Sequence, residues 1–538
     1  MSEPGSMGSA ASIYKNYVPQ PLRAAAATSV PPRVRRKVKS QLARTLAERE
    51  SRLHRRSLRQ LRDAGLAARP EGRVTDSEGR VVHVHAGLTA DLARRIDHEL
   101  VTSALDLAGI PWFAVPALDD RRTALAVPKE HKPAVRRVLR AVLEEQTGYV
   151  CSVSPADASG LSVPGSHLKA WKSYAKARVI RLVWLRTDPT GSLPVGEHQG
   201  VEIEFWSVNN DLPTPRLVGP RPNRVQRVVP VGAATMAAEH HRLTGYSDLA
   251  PSGEPTRIPE AFDIVRVEEI TFPVDAVVLW QHTGDWAEEL LRATLRSLHQ
   301  YAPWIHHVHV VASAPLPDWI LPGDRLSPYG AAPDAETRLH ELPDLAEHFL
   351  LFRPGAVLAR PVRSFDFFSP LGGTRPRRGP WTAAEAAAPW TSTAFAFTTR
   401  AVAHGYGSGP QPYTRHVLAA IDEGYDRDAC LLDLQRMPAL PGTHPLDGLV
   451  HHSARCSGVA DPSGETTVAL HAAMPGLRRW LDRLLVRRDV QQFHLFGLDT
   501  PEAHDQGGTA TAVRFLRRYF PVASPFEEPA GPEGDSRA

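Results

Sequence analysis

The most ordered pattern in the chain runs from residue 273 to residue 362. VDAVVLW reads as a continuous apolar strand of the kind that is buried on both faces of a parallel sheet. EELLRATLRSLHQYAPW then changes period: Leu291, Leu295 and Leu298 fall on one helical face, and Arg292, Arg296 and His299 share another. HHVHVVAS is the next strand. Strand, helix and strand joined by a crossover of roughly 20 residues predict a right-handed parallel unit. After PLPDWI the pattern predicts a short helix capped by Asp334, with Glu336 and His340 at i and i+4 on one face and Leu339 and Leu342 on the other. EHFLLF reads as a third strand and ends on the bend Arg353-Pro354-Gly355. In open α/β sheets the loops at strand tips carry ligands, so the expected site gathers the loops of Asp285 and Asp324 and this bend.

The pattern outside this segment sets the remaining boundaries. Residues 1–70 are low in aromatics and read as a basic, partly disordered extension; 529–538 reads as a disordered tail. From 71 to 272 a mixed α+β domain is expected: a hairpin turning at Ser77-Glu78-Gly79, a helix over LTADLARRIDHELVTSALDLAG, strands at WFAVPA and TALAVP, a helix from Lys132 to Glu145, then mostly strands. The fold class is therefore α/β: a Rossmann-like core over 273 to about 400, a helix-rich region to 528, and a smaller N-terminal domain in front.

A length of 538 residues exceeds one compact core, and the composition is ordinary for a globular protein. No apolar run long enough to span a bilayer and no signal peptide stand out, so a cytoplasmic location is expected. Cys151, Cys430 and Cys456 lie far apart without a CxxC, which excludes a disulfide framework and a zinc cluster. Net charge is only +4, but Lys and Arg crowd into residues 33–62. That run is either a solvated helix or a contact to an anionic lipid surface or polymer; no motif for specific nucleic-acid binding accompanies it.

Other chemistry is sparse. No GxGxxG, Walker loop, HExxH or GxSxG occurs. His306, His307 and His309 alternate along a strand, so at most two could share an ion, and a structural role is favoured. Glu202 and Glu204 share one strand face, as a metal pair or, more commonly, as solvent-facing acids on an edge strand. LGGTRPRRGPW, with Arg375, Arg377 and Arg378, reads as a solvated linker, the alternative being a flap over a nucleotide diphosphate.

Six stretches occur in an order that carries a resemblance: LLRATLRSLHQYAPWIHHVHVVASAPLPDWI, AETRLHELPDLAEHFLLF, RPVRSFDFF, QPYTRHVL, LVHHSA and VRFLRRYFPVASPFE. Over residues 273–528 the chain resembles the Stealth family, proteins similar to the hexose-1-phosphate transferases of capsule and exopolysaccharide synthesis and to the lysosomal-enzyme N-acetylglucosamine-1-phosphotransferase. The resemblance implies a Stealth-like phosphotransferase domain that takes a nucleotide-sugar donor and a polysaccharide acceptor. It also implies a divalent cation, Mg or Mn. Where the family shows an Asn-Asp-Asp run, this chain has Arg353-Pro354-Gly355. Trp280 is kept, His282 falls at a family aspartate, Asp285 matches an acid three residues on, and the family asparagine falls near Ala331. The catalytic candidates that remain are Glu336, His340, His282 and Asp285, and the substrate-binding candidates are Arg292, Arg296, Arg353, Trp280 and Asp499. With the usual carboxylates missing, metal ligands stay unassigned. An arginine cannot bind a cation but can bind phosphate, so Arg353 is expected to replace metal-borne charge, with His282 or Glu336 as base. The alternative is a catalytically inactive relative that binds nucleotide sugar or polysaccharide.

Overall fold

The computed structural model describes residues 72–528 apart from 77–79, 119–120, 154–162, 167–170, 172–173, 197–198, 212, 239–255, 265–268, 281–283, 331–334, 380–385, 388, 408, 425–443, 462, 467, 471–475, 487, 489–494 and 499–505. The basic run 33–62, the turn at 77–79, His282, Asp334, Asp499 and the tail therefore lie outside the described residues. The chain divides into two compact units, one ending at Met236 and including Arg257–Phe262, the other formed by Ala237–Thr256 and Asp263 onward. No helix among the described residues is long and apolar enough to cross a membrane.

The first unit opens with the hairpin β1 (Gly72–Thr75) and β2 (Val81–Val84), paired antiparallel. Helix α1 (Ala90–Leu107) starts where the Thr89 hydroxyl accepts the Leu92 N–H at 3.0 Å. After β3 (Phe113–Val115) and β4 (Thr123–Pro128), α2 (Lys132–Glu145) buries Val135, Leu139 and Leu143 along one stripe. Two further strands, β5 (Val179–Val183) and β6 (Val201–Asn209), join an eight-stranded sheet in which β6 lies between parallel β4 and antiparallel β5. That central position corrects the edge-strand expectation for Glu202 and Glu204. Both are buried, and arginines hold them: Arg181 Nε and Nη2 donate to Glu202 at 2.9 and 2.8 Å, and Arg221 Nε to Glu204 at 2.6 Å. Guanidinium groups fill the positions that a metal would need.

The second unit is built on five strands: β7 (Val274–Trp280), β8 (Val308–Ala312), β9 (Leu326–Gly330), β10 (His348–Phe352) and, later, one antiparallel strand. Helix α3 (Asp285–Tyr301) connects β7 to β8 and buries Leu291, Leu295 and Leu298. The chain continues through β11 (Arg377–Gly379), α4 (Pro389–Thr398), β12 (Gly405–Tyr406), β13 (Gln411–Thr414), α5 (Arg415–Gly424), α6 (Pro445–Cys456) and α7 (Gln506–Tyr519). The sheet order is β9-β8-β7-β10-β13, parallel except for β13. Val277, Leu279, Phe349, Leu351 and Tyr413 pack with Leu418 of α5 and Leu449 of α6 in one core. Chain order runs outward from β7 on one side, and β10 begins the other side. The carboxyl ends of β7 and β10 thus flank the topological switch, where such sheets bind ligands.

The Arg353-Pro354-Gly355 bend has a backbone reason. Ala356 N–H donates to Arg353 O at 2.9 Å, and Gly355 has φ +82°. This is a type II turn, which takes Pro at its second position and needs a left-handed residue at its third. Three expectations are corrected. The helix of Glu336 and His340 is a run of turns ending in a single 3₁₀ turn, Leu339–Glu341, because Leu342 precedes Pro343 and is held at φ −59°, ψ 129°. Asp324 precedes β9 and lies at the amino edge of the sheet, away from Arg353, because an unforeseen parallel strand follows it. The stretch around Arg377 is no linker, since Arg378 and Gly379 pair with Tyr406 and Gly405, and Arg377 with Ser463.

Candidate active site

Arg353 leaves the end of β10 and turns inward. Its Nε donates to Glu336 Oε1 at 2.7 Å, and its Nη2 donates to the same oxygen. Nη1 donates to Asp447 Oδ2 at 2.6 Å, and Nη2 lies 3.5 Å from the Tyr413 hydroxyl. The other oxygen of Asp447 accepts from Tyr413 Oη. Four elements converge here: the strand end of β10, the turn before Leu339, β13 and the first turn of α6. Asp447 is wholly buried, whereas Glu336 keeps 18% of its side chain exposed. Glu336 Oε1 takes both Arg353 bonds and also faces His444 Nδ1 at 3.6 Å. None of these contacts falls on Oε2.

Electrostatics follow from one cation placed between two carboxylates. Burial by itself would raise the Asp447 carboxyl, but Arg353 and then His451 and His444 outweigh it and hold it below its ordinary value. Burial, followed by Arg353, pushes His444 down, so its imidazole is neutral at pH 7. Burial drives Arg353 the other way, yet Asp447 and Glu336 raise it well above its ordinary value. His451 is driven by burial to about 4, and its ring stands 5.1 Å from that of Tyr413. His299, on α3, is also lowered to about 4, by burial and then by Arg325. Unfolded, both histidines titrate near 6.5. Between pH 6.5 and pH 4 the unfolded chain therefore binds protons that the folded unit refuses, and stability falls as pH drops through that window. The expected loss is on the order of 3 kcal/mol per histidine. Melting temperatures measured from pH 7 to pH 4 check it; a curve flat across the window contradicts it.

The structure brings three of the sequence candidates together. Arg353 and Glu336 are in contact, and Arg353 and Trp280 line one cleft with Leu290, Leu291 and Thr294 of α3. The Trp280 indole donates to Pro315 O at 3.1 Å. The other candidates sit elsewhere. Arg296 donates to Glu527 through Nε at 2.9 Å and Nη2 at 2.7 Å, and to Phe520 O at 2.9 Å. Arg292 stacks 4.4 Å over Trp319 and faces Glu527 at 3.7 Å. Both arginines thus bind the C-terminal segment. Asp285 is exposed in the first turn of α3, where its charge complements the helix N-terminus. His340 pairs with Asp422 at 3.6 Å rather than with Glu336. Four residues of the cluster escaped the sequence reading: Tyr413, His444, Asp447 and His451. Their only signal was that Tyr413 and His451 lie in two of the segments that carry the family resemblance.

A divalent cation needs carboxylate oxygens that converge on an open point. Glu336 and Asp447 do converge, but on the Arg353 guanidinium, so this cluster does not fit a metal. A second group, His340, Glu341 and Asp422, places one ligand atom from each within 4.8 Å. Glu341 there is exposed and already pairs with Arg338 at 2.5 Å. His309 of β8 and His306 just before it are structural: Asp275, buried inside the strand read as apolar, takes His309 Nε2 and His306 Nδ1 at 3.1 Å each and the Ala346 N–H at 2.7 Å.

Fold and site together define an α/β protein with a guanidinium-bridged carboxylate pair at the sheet's switch point. No family model matches the chain. It is 60% identical to an exopolysaccharide phosphotransferase of Streptomyces coelicolor, over 98% of this chain and 97% of that protein. A second protein of that name from the same organism is 29% identical over 96% of this chain and 98% of its own. Exopolysaccharide phosphotransferase CpsY of Mycobacterium leprae is 26% identical over 85% of this chain and 91% of its own. The chain belongs to the exopolysaccharide phosphotransferase family. Among solved structures, a galactosyltransferase aligns over 46% of this chain and 96% of its own at 13% identity and a TM-score of 0.29, too slight a likeness to bear on the fold.

Proposed function

We propose that this chain is a Stealth-type transferase that moves a sugar-1-phosphate from a nucleotide diphosphate sugar to a polysaccharide hydroxyl. The acceptor oxygen attacks the phosphorus next to the sugar, the bond from that phosphorus to the bridging oxygen breaks, and nucleoside monophosphate leaves. Glu336 takes the hydroxyl proton. The observation that carries this reading is the asymmetry of its carboxylate: Arg353 binds Oε1, and the carboxylate's contacts with Arg353 and His444 among the described residues leave Oε2 out, on a side chain that still reaches solvent. A base must be accessible and fixed in orientation, and Glu336 is both. Asp447 is not, since it is buried with both oxygens taken, so it positions Arg353 and Tyr413. Arg353 stands between the two carboxylates where a metal ion would have to sit, and no step is routed through a metal. Against the binding-protein alternative stands the meeting of Glu336 and Asp447 on Arg353, at the position of the missing Asn-Asp-Asp run. Incubation with nucleotide sugars and polysaccharide tests the proposal: nucleoside monophosphate release that depends on acceptor is expected, and tight donor binding without release contradicts it.

A further inference from the structure

Several arginines of the second unit hold acids, as Arg296 holds Glu527, Arg338 Glu341, Arg353 Glu336 and Asp447, and Arg517 Glu289, and others, among them Arg325, Arg375 and Arg415, donate to backbone carbonyls. Arg378 and Arg455 differ. Neither has a carboxylate partner among the described residues, and the Arg378 Nε is buried without an acceptor. They are brought together by topology. Arg378 stands directly opposite Tyr406 in the β11–β12 pair, so the two side chains share a face. The Tyr406 ring lies 5.0 Å from that of His451. His451 and Arg455 are i and i+4 on α6 and neighbour each other on its surface. Arg455 Nη1 meets His404 Nε2, a ring nitrogen that accepts only when it carries no proton. Burial and then the charges of Arg455 and Arg378 hold His404 below its ordinary value.

Two guanidinium groups placed near one imidazole repel each other unless an anion lies between them. The Arg353 cluster cannot neutralise an incoming phosphate, because its single cation is shared by two carboxylates. Arg378 and Arg455 lie beyond two ring-to-ring steps from Tyr413, which run through His451 at 5.1 Å to Tyr406 at 5.0 Å. We propose that Arg378, His404 and Arg455 form a phosphate-binding site separate from the Arg353 cluster. The ligand is the diphosphate of the donor or a phosphodiester of the polymer; only this choice of source rests on the transferase reading.

The test is calorimetric titration of the full chain with inorganic pyrophosphate, a nucleotide diphosphate sugar and a phosphodiester-linked oligosaccharide. Wild type is compared with Arg455→Gln, Arg378→Gln and the conservative Arg455→Lys, with melting curves to confirm folding. Charge-assisted bonds of this type correspond to about a tenfold to hundredfold loss of pyrophosphate affinity in each glutamine variant, with a smaller loss in the lysine variant. A parallel loss for the nucleotide sugar assigns the site to the donor, and a loss only for the oligosaccharide assigns it to the acceptor. Pyrophosphate affinity unchanged in folded Arg455→Gln overturns the proposal. Arginine-dependent pyrophosphate binding in a chain that never releases nucleoside monophosphate keeps the phosphate site and removes the transferase reading.

Discussion

Arg353→Ala is expected to lower the melting temperature by roughly 10 °C and to abolish transfer. The guanidinium is 14% exposed and bonds two carboxylates, one of them wholly buried. Removing one partner of a buried ion pair costs about 3 to 5 kcal/mol, because the remaining charge is left without compensation. A unit of this size shifts by about 2 to 4 °C per kcal/mol. Arg353→Lys is expected to recover little: an ammonium is a point charge and cannot bridge Glu336 and Asp447 as a planar fork does. The view of Arg353 as a freely available phosphate ligand makes the opposite prediction, namely a stable variant with weakened donor binding. Thermal melts of both variants separate the two; a melting temperature unchanged in Arg353→Ala contradicts the bridging role.

Glu336→Gln acts on chemistry instead. Glutamine keeps the volume and an acceptor oxygen for Arg353, and Asp447 still balances the guanidinium, so the fold is expected to survive. Loss of a positioned general base lowers turnover by about 10² to 10⁴-fold. Donor affinity should change far less than kcat, since Oε2 touches the hydroxyl only as its proton leaves. Steady-state kinetics and a melt on one preparation suffice. A variant with wild-type kcat removes Glu336 from the base role, whereas a melt as low as that of Arg353→Ala makes it a structural partner.

How much of this was legible in the sequence depends on distance along the chain. The unit from Val274 to Ala312 could be read because its signals are local: an apolar run, a 3.6-residue period and another apolar run. The bend at Arg353 was equally local, since Pro354 and Gly355 specify its turn. Leu326–Gly330 was missed because Pro328 breaks a strand pattern, yet on the sheet edge its missing N–H matters little. Asp275 was hidden inside an apolar run, and its partners come from β8 and from the loop before β10. The partners of Arg353 were hidden more deeply: Tyr413 lies 60 residues away and Asp447 lies 94. No spacing rule links them. Only the pairing of β13 with β10 and the packing of α6 against the sheet bring their side chains to the switch point, and this is why the sequence showed lost acids where the fold supplies acids from elsewhere.

A guanidinium, and not a divalent cation, bridges the two carboxylates of the proposed phosphotransferase site. The most direct measurement is acceptor-dependent release of nucleoside monophosphate by the purified chain, with and without EDTA. The structure predicts release at the same rate in both. Complete loss of release in EDTA, restored by Mg²⁺ or Mn²⁺, would contradict it.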